Sequence, residues 1–542
     1  MAARSATPTG TLRISVPLAL GRRAGAAAYR ILFGQRRPSS KLIVSFSEDT
    51  TEQRRLRRAP GSKARGIAEE RLSIFVFLGS AAFQRPIDCA LKHSNNLHTL
   101  NMFNRCLIAL AALPFVLDAC GGSSIADSPN PLASADQLAA EKLAITVVQS
   151  PAVIAAKATL KAKWLAAAQT TGGVPDEALS NLDEALDESV FAFALSLASG
   201  TANDPKVVSF LAAPHNWYGM NVPGSRTTFD NPDTLYRSIP VDPASSYVIT
   251  GKVHGQKPVD FNFSLYSSTN ATLSNLAGDQ LGTNADGSFF INANSSPTGG
   301  GNQIQLVSGA SSIFVRDTIN EWGVQQFNSL AIKRTPSAST QSQTADALAT
   351  TLAATLQTSA AAAPFIAYNA LAYAQPANTL PAPSLGGTGG RLANQAASYA
   401  AFQLADDQAL VLNVNLGGAK YFIAPAYGRW TITTDYINHT QTLNNTQAVP
   451  NPDGTYTFVI SPKDPGVYNW VDTAGLHQGF LNPRWQGLPA TPASQGPSAS
   501  AQLVKLSDVR TVLPVTTKYV TAAERQAQLA VRAASYASRY AP

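Results

Sequence analysis

The chain has 542 residues, enough for several domains, and 45% of them are hydrophobic, which is ample for a folded core. A pI of about 9.2 suggests a nucleic-acid or membrane-surface protein, but the positive charge is concentrated in one segment. Residues 1–101 contain 17 basic and 6 acidic residues, whereas residues 102–542 contain 24 basic and 28 acidic residues. The larger part is mildly acidic, so we predict no nucleic-acid partner.

The first 101 residues carry arginine-rich runs, such as residues 54–58, and no sustained helical or strand periodicity. One interpretation is a basic arm for an anionic partner. The interpretation that we favour is spurious translation upstream of a true start at Met102, or a disordered segment. Either way, residues 1–101 contribute nothing to the predicted fold.

A secretory signal follows Met102. Arg105 supplies the positive charge, and residues 107–117 form an apolar stretch that is shorter than the roughly 20 residues a membrane span needs. Residues 117–120, Leu-Asp-Ala-Cys, resemble the lipobox of bacterial lipoproteins, with Asp118 in place of the usual small residue. The resemblance implies a signal peptide at 102–119, cleavage before Cys120, acylation of its thiol and a tether at 120–134.

The lipobox resemblance also implies a location. Acyl chains on Cys120 would anchor the protein to a membrane of the cell envelope, and Gly121 favours the outer membrane, facing the periplasm. The only cysteines are Cys89, Cys106 and Cys120. The mature body would therefore hold no disulfide, no zinc-thiolate site and no cysteine nucleophile.

Helical patterns come first in the mature chain. Residues 135–212 predict a helical region, in which Pro151 separates two helices and a further helix runs from Pro175 to Gly200. Residues 213–338 predict a first β-rich domain, because short alternating runs are separated by turn residues. Its predicted strands are 234–239, 246–253, 259–266, 288–293, 303–307, 312–316 and 329–333.

In the second half of the mature chain, predicted helices again precede predicted strands. Residues 339–404 predict a helical insertion, with helices at 345–373 and 391–404 around a Pro/Gly loop. Residues 405–542 predict a second β-rich block, with strands at 409–415, 420–424, 431–433 and 456–460 and a last helix at 522–540. We therefore predict an α+β fold, an antiparallel β-sandwich core with a helical N-terminal region and helical insertions.

Two stretches resemble bacterial proteins that carry the uncharacterised DUF1214 domain. The first is Asn231-Pro232-Asp233-Thr234-Leu235-Tyr236, and the second includes Tyr427-Gly428-Arg429-Trp430, Asp464-Pro465-Gly466 and Arg484-Trp485. The likeness covers roughly residues 215–490 and implies a jelly-roll-like sandwich. The family has no assigned reaction, so the resemblance implies none.

Polar and aromatic residues are densest at 464–485, on a Gly/Pro-rich loop. Tryptophan faces beside Asp, Asn and Arg suit a sugar ring or an aromatic ligand. The predicted ligand-binding residues here are Asn469, Trp470, Arg484 and Trp485. The alternative is structural, with turn residues, caps and an Arg–Asp pair holding the loop.

Histidine chemistry offers a second set of candidates. A histidine oriented by a carboxylate is a usable general base near neutral pH, which favours His439 or His477 with Asp435 or Asp472. No Gly-x-Ser-x-Gly, His-Glu-x-x-His or P-loop motif is present, and we predict no metal site.

Three further residues fit either an ion pair or a ligand contact: Asp233, Tyr236 and Arg316.

Three functions fit these patterns. The first is an envelope-anchored protein that binds a small molecule or glycan on a β-sandwich. The second is a hydrolase or lyase acting on a glycan or similar polar substrate in the periplasm. The third is a structural or assembly protein of the envelope, and the sequence implies no particular cofactor.

Overall fold

The computed structural model describes residues 70–74, 87–91, 130–338, 343–386, 391–491 and 493–541. The chain divides into two compact units, residues 1–121 and 122–542. In the first unit, β1 (Glu70–Ile74) pairs antiparallel with β2 (Ile87–Leu91). The predicted signal peptide, Cys120 and the loop at 387–390 lie outside the described residues. The rest of this section concerns the second unit.

Six helices form one apolar core near the start of the second unit. They are α1 (Ala135–Val148), α2 (Pro151–Thr170), α3 (Asp176–Ser180), α4 (Leu182–Ala198), α5 (Ala345–Gln357) and α6 (Ser359–Ala372). Pro151 begins α2, where a missing N–H costs nothing. Trp164 of α2 stacks on Phe365 of α6, with ring centroids 4.6 Å apart. The insertion at 345–372 thus packs back onto the N-terminal helices.

Two short antiparallel pairs follow α4 in this region: β3 (Gly200–Thr201) with β4 (Asp204–Pro205), and β6 (His215–Trp217) with β7 (Met220–Val222). Within the described residues, no single helix is both long and apolar enough to cross a membrane. Helices α1 and α2 meet that test only as a pair bent by 77°.

The first β-rich region is a sandwich of a five-stranded and a four-stranded sheet. The larger sheet has the order β11–β10–β14–β8–β5, and its strands are β5 (Val208–Phe210), β8 (Thr234–Pro240), β10 (Asp260–Ser267), β11 (Thr272–Ala277) and β14 (Ala310–Thr318). The smaller has the order β13–β12–β9–β15, and its strands are β9 (Ser246–Lys252), β12 (Ser288–Asn294), β13 (Gln303–Gln305) and β15 (Ser329–Thr335). Alternate residues of both sheets, such as Ile249 and Phe263, share one core.

The second β-rich region is a sandwich of a seven-stranded and a four-stranded sheet. The larger has the order β16–β17–β25–β20–β24–β18, with β21 also on β20, and comprises β16 (Ser384–Leu385), β17 (Ala396–Ala397), β18 (Ala400–Gln403), β20 (Tyr421–Tyr427), β21 (Thr442–Asn444), β24 (Gln478–Leu481) and β25 (Arg484–Gln486). The smaller has the order β23–β22–β19–β26 and comprises β19 (Gln408–Asn415), β22 (Tyr456–Ser461), β23 (Trp470–Asp472) and β26 (Ser498–Lys505). Leu412, Phe458 and Trp485 lie in the shared core.

The chain ends on a 3₁₀ turn (Leu506–Asp508), α7 (Val509–Val512), α8 (Ala522–Ala537) and a second 3₁₀ turn (Ser538–Tyr540). Thr521 and Glu524 form a capping box at the start of α8. The amide of Asn130 donates to the carbonyl of Arg539 over 2.8 Å, so the first described residues of this unit meet its last ones.

The α+β class and the helical N-terminal region are confirmed, whereas two local predictions are wrong. The helix predicted at 391–404 is instead β17 and β18, because their small side chains fit against β25 and β24 and this pairing overrides the helix propensity of alanine. The strand predicted at 431–433 is a turn, in which Thr431 has a φ of +62° that no strand accommodates.

Candidate functional site

One face of the five-stranded sheet is polar although it is buried. On β14, Ile313 and Val315 point into the sandwich core, so Arg316 points to the opposite face. In register with Arg316 lie Asn262 on β10 and Tyr236 on β8. Asn262 and Tyr236 are both buried. An outer face of a sandwich normally meets water, so a buried polar face requires another explanation.

Hydrogen bonds between side chains run along this face. Asn262 donates to Asp260 over 2.9 Å and accepts from Asn275 over 2.9 Å, and Ser264 donates to Asn275 over 2.8 Å. Burial raises the pKa of Asp260 to about 6, because it outweighs the stabilising hydrogen bond from Asn262. The side chains of Asp260, Asn262, Ser264 and Asn275 thus satisfy one another on this buried face.

The opposite wall is the outer face of the seven-stranded sheet. Trp485 points into the core of its own sandwich, so Arg484 and Gln486 point outward. The hydroxyl of Thr318 donates to the amide oxygen of Gln486 over 3.3 Å, which joins the two sheets directly. Arg484 interacts electrostatically with Tyr236 of the facing sheet. The two sandwiches therefore meet across a polar interface.

Arginines and tyrosines are the principal groups at this interface. We define the inter-sandwich site by six residues: Tyr236, Arg316, Tyr368, Tyr399, Tyr427 and Arg484. Three of them, Tyr236, Arg316 and Arg484, were predicted from the sequence as ligand contacts, and the structure brings these three together.

Arg484 is buried but has no carboxylate partner. Its guanidinium donates to the carbonyls of Phe229 over 3.0 Å and Asp230 over 3.2 Å, and to the hydroxyl of Tyr427. Its Nε–H has no hydrogen-bond partner among the residues that the structure describes. No described carboxylate forms an ion pair with it either. Burial raises the pKa of Tyr427 well above its usual range, so this phenol is neutral and supplies no counter-charge.

Two tyrosines line a half-exposed edge of the site. The rings of Tyr368, from α6, and Tyr399, between β17 and β18, stack with centroids 5.7 Å apart. Phe229 packs against both, at 5.1 and 5.8 Å. Burial and the neighbouring Tyr399 raise the pKa of Tyr368 to about 12. The positive charge of Arg484 acts on both tyrosines and partly offsets the effect of burial on their pKa.

Arg316, which interacts electrostatically with Tyr368, lies on an aromatic patch of the five-stranded sheet. Its guanidinium is 4.6 Å from the ring centre of Phe314 and donates to the hydroxyl of Tyr266 over 2.9 Å. Phe314 and Arg316 are half-buried, so this edge of the site is less deeply buried than Arg484.

The histidine candidates lie apart from these residues. His439 Nδ1 is 2.6 Å from the carboxylate of Asp472, which also accepts the backbone N–H of Ala474 over 2.8 Å. The Asp472 hydrogen bond raises the pKa of His439 and keeps its imidazole protonated to higher pH. Asp435 instead accepts the backbone N–H of Asn438 over 2.9 Å, so it shapes the turn that carries His439.

His477 bridges two carboxylates on another surface. Its Nδ1 is 2.9 Å from Glu177 of α3, and its Nε2 is 2.9 Å from Asp406. These carboxylates, Asp406 first, raise the pKa of His477. The residue lines an open surface pocket of about 440 Å³ whose other polar groups are amides, those of Asn378, Gln403, Gln408 and Gln478. Both ring nitrogens of His477 therefore contact carboxylates, and the side chain links α3 to the second sandwich.

The remaining candidates hold the fold in this structure. Trp485 is fully buried, and Trp470 is buried with Nε1 donating to the carbonyl of Ser461 over 3.1 Å. Neither ring presents a face to a ligand, because both are packed inside the second sandwich or beneath Arg525. The predicted tryptophan platform at 464–485 is therefore not formed.

Asn469 and Asp233 are also internal. Asn469 donates to the carbonyls of Val449 and Thr457, over 2.8 and 3.0 Å, which ties the loop to its neighbours. Buried Asp233 accepts from Trp322 over 2.7 Å, from Tyr421 over 2.8 Å and from Asn444 over 2.9 Å. Because Asp233 is fully buried and its carboxylate already accepts these three hydrogen bonds, it supports the fold and faces no ligand.

Sequence reasoning missed half of the site: Tyr368, Tyr399 and Tyr427. Tyr399 lies in the segment wrongly predicted as helix, and Tyr368 lies on a helix whose partner could not be known. The available signal was the alternation of 260–266, which places Asn262 and Ser264 on one face of a strand. No group of three His, Cys, Asp or Glu side chains that could hold a metal ion is found in the described part of the chain.

Comparisons with known proteins support the fold alone. No family model matches the chain, and a search of curated proteins gives no match. The chain is similar to a crystal structure of an uncharacterised protein from Burkholderia cenocepacia, with a TM-score of 0.53 and 23% identity, over 67% of this chain and 99% of that one. A protein from Vibrio parahaemolyticus aligns with a TM-score of 0.35 and 11% identity, over 59% and 100%, which is too weak to support a conclusion. The DUF1214 relationship stays a prediction.

Proposed function

We propose that this protein is an envelope-anchored lipoprotein that binds a small anionic molecule in the inter-sandwich site. One observation carries the binding proposal: the buried guanidinium of Arg484 has an Nε–H without a partner and no carboxylate in contact. An unsatisfied charged donor in a buried position is costly, by roughly 1–3 kcal/mol or more. A ligand oxygen anion would satisfy that donor and supply the missing charge.

The surrounding groups support an anion rather than a cation. Arg316 and Arg391 add positive charge near the tyrosine pair, since they act on Tyr368 and Tyr399 respectively. Phenols that are neutral at physiological pH can donate hydrogen bonds to an oxygen anion. Binding pockets with few convergent polar groups and aromatic walls are typical of small-molecule sites.

Calorimetry on the purified protein tests the proposal, with acetate, benzoate, succinate and inorganic phosphate as probes. We expect at least one of them to bind and Arg484→Lys to weaken that binding by tenfold or more, because Lys keeps the charge but loses the planar fork. Arg316→Gln should weaken it less. Arg334→Gln, on β15 of the other sheet, is the matched control and should bind as the wild type does.

Folding must be separated from binding in this experiment. The melting temperature of each variant without ligand shows whether Arg484→Lys is folded. A folded Arg484→Lys variant that binds every probe as tightly as wild type would overturn the proposal. So would a wild-type protein that binds none of them at millimolar concentration.

The anchoring proposal rests on the sequence of residues 102–121 and needs its own test. We expect cells to incorporate a clickable fatty-acid analogue into the wild-type protein but not into a Cys120→Ala variant, which should leave the membrane fraction. Ser123→Ala is the control and should be labelled normally. A Cys120→Ala protein that stays in the outer-membrane fraction without label would contradict acylation at this residue.

The contact of 2.6 Å between His439 and Asp472 favours a second function, a hydrolase or lyase acting on a polar substrate. An exposed imidazole held by a fixed carboxylate is a general-base arrangement. Because the pKa of His439 is raised, turnover should increase as the pH rises above about 6.5. A screen of polysaccharide and ester substrates should lose all activity in His439→Gln and keep it in His477→Gln; equal activity in both variants would exclude this role.

A further inference from the structure

The half-exposed edge of the inter-sandwich site is more aromatic than an anion alone requires. One wall is the stacked pair of Tyr368 and Tyr399, whose planes are 27° apart. Phe314, which contacts Arg316, forms a second stacked pair with Tyr266, with ring centroids 5.4 Å apart and planes only 14° apart. Simple anions need donors and charge, not two stacked aromatic pairs.

Depth and charge give the site a direction. The aromatic residues Phe314, Tyr368 and Tyr399 are half-buried, whereas Arg484 is buried. A ligand entering from solvent therefore meets aromatic rings first and a guanidinium last. Tyr399 lies between these two regions, because it stacks on Tyr368 and also feels the charge of Arg484.

We propose that the ligand is an aromatic carboxylate, with its carboxylate on Arg484 and its ring held at the Tyr399 and Phe314 walls. This inference rests on the proposed function of the same site. A planar carboxylate matches the two-pronged donor geometry of a guanidinium, and its attached ring lies in the direction of the half-exposed edge. Aromatic rings favour offset or edge-on contacts with the rings of such walls.

Other anion classes fit less well. A long aliphatic acid would need an extended apolar channel, but the floor beside Arg316 carries Asn262 and Ser264. A phosphate site is usually built from a helix N-terminus or a glycine-rich loop of backbone amides, whereas the two arginines of this site, Arg316 and Arg484, come from strands β14 and β25.

Four probes of similar size or charge separate the elements of this inference: benzoate, cyclohexanecarboxylate, benzamide and acetate. Benzoate carries both ring and charge, and each of the others lacks one of them. We expect benzoate to bind about three- to tenfold more tightly than cyclohexanecarboxylate, which is the range for aromatic contacts beyond buried area. Benzamide and acetate should bind at least tenfold more weakly than benzoate.

Variants locate the ring. Tyr399→Leu and Phe314→Leu should each reduce benzoate affinity threefold or more, and each should reduce acetate affinity by a smaller factor. Phe290→Leu is the matched control, because Phe290 is an exposed phenylalanine on β12 of the other sheet. Retained melting temperatures show that the variants fold, and upfield shifts of bound fluorobenzoate in NMR report directly on ring contacts.

The outcomes distinguish the two proposals. If cyclohexanecarboxylate binds as tightly as benzoate, or if Tyr399→Leu and Phe314→Leu leave benzoate affinity unchanged, the aromatic inference is overturned while an anion site stands. If benzamide binds as tightly as benzoate, or if no carboxylate binds, both the anion site and its aromatic ligand are overturned.

Discussion

Asp260 offers a quantitative test of how deeply the inter-sandwich interface is buried. Its carboxyl is almost fully buried and accepts a hydrogen bond from Asn262 over 2.9 Å. Burial raises its pKa from 3.8 to about 6. Because the folded state holds this proton more tightly than the unfolded chain, the carboxyl costs stability as the pH rises from about 4 to 6, and the cost then stays constant.

The magnitude follows from that pKa. Between about pH 4.5 and pH 8 the shift corresponds to roughly 2 kcal/mol of lost stability, at about 1.4 kcal/mol per unit. Asp260→Asn keeps an acceptor for Asn262 and cannot ionise. Relative to wild type, its free energy of unfolding should therefore be about 2 kcal/mol higher, meaning a more stable protein, at pH 8 than at pH 4.5.

Urea unfolding at both pH values, followed by tryptophan fluorescence, measures this difference. Asp286→Asn is the control, because hydrogen bonds from Ser288 lower the pKa of that exposed carboxyl. The free energy of unfolding of Asp286→Asn, relative to wild type, should therefore be slightly lower at pH 8 than at pH 4.5. The assignment of a buried polar interface would be refuted if the difference in free energy of unfolding between Asp260→Asn and wild type were equal at the two pH values. It would also be refuted if wild type were relatively more stable at pH 8.

Three further predictions follow from the same structure. Trp485→Ala should lower the free energy of unfolding by about 3–5 kcal/mol in urea titrations, because the ring is fully buried; a loss below 1 kcal/mol would contradict its place in the core. His477→Gln should lower the urea midpoint more at pH 6 than at pH 9, because the raised pKa of His477 gives stability that is present below about pH 6.5 and lost as the pH rises. Equal decreases at the two pH values would contradict a stabilising role for the contacts of His477 with Glu177 and Asp406. Gly417→Ala should lower the melting temperature far more than Gly454→Ala. Both glycines have positive φ, but only at Gly417 would the new Cβ lie 2.1 Å from a backbone nitrogen, that of Pro497. Equal decreases in melting temperature would contradict that close approach.

Sequence patterns located most secondary structure because its signals are local. Pro151 separates α1 from α2, and the alternation of residues 260–266 matches β10. The failure at residues 391–404 has a physical cause, since alanine-rich segments favour helices unless sheet pairing overrides them. Ala400 and Phe402 belong to such a segment and pair with β24. That pairing partner lies about 80 residues away in the chain, which no local pattern reveals.

The site was harder to predict than the fold. Alternation along β14 places Arg316 on the outer face of a sheet, and such a face is ordinarily solvated. Only the docking of a second sandwich converts it into a buried wall. For the tryptophans, the sequence predicted ligand contacts that the structure does not form. Trp470 and Trp485 lie in a Gly/Pro-rich segment typical of binding loops, but both rings are buried. Residue type alone did not separate the arginines of the interface from these tryptophans of the core, because burial decides which side chains can meet a ligand.

Arg429, which is also buried, and Arg539, which is half-buried, show by comparison why Arg484 is the arginine that indicates a ligand. Arg429 also lacks a carboxylate, but it donates to carbonyls at the C-terminal end of α2, where the helix dipole supplies negative potential. Arg539 leaves donors unpaired, but its guanidinium lies 4.5 Å from the ring centre of Trp322 and spreads its charge over that aromatic face. Arg484 has neither a helix end nor a stacked ring among the described residues. It interacts electrostatically with Asp230, but that carboxylate accepts a hydrogen bond from Thr433 and interacts more strongly with Arg226. A fold that compensates Arg429 and Arg539 and leaves Arg484 incomplete, beside half-buried aromatic side chains, has the arrangement expected when the missing partner comes from outside the chain.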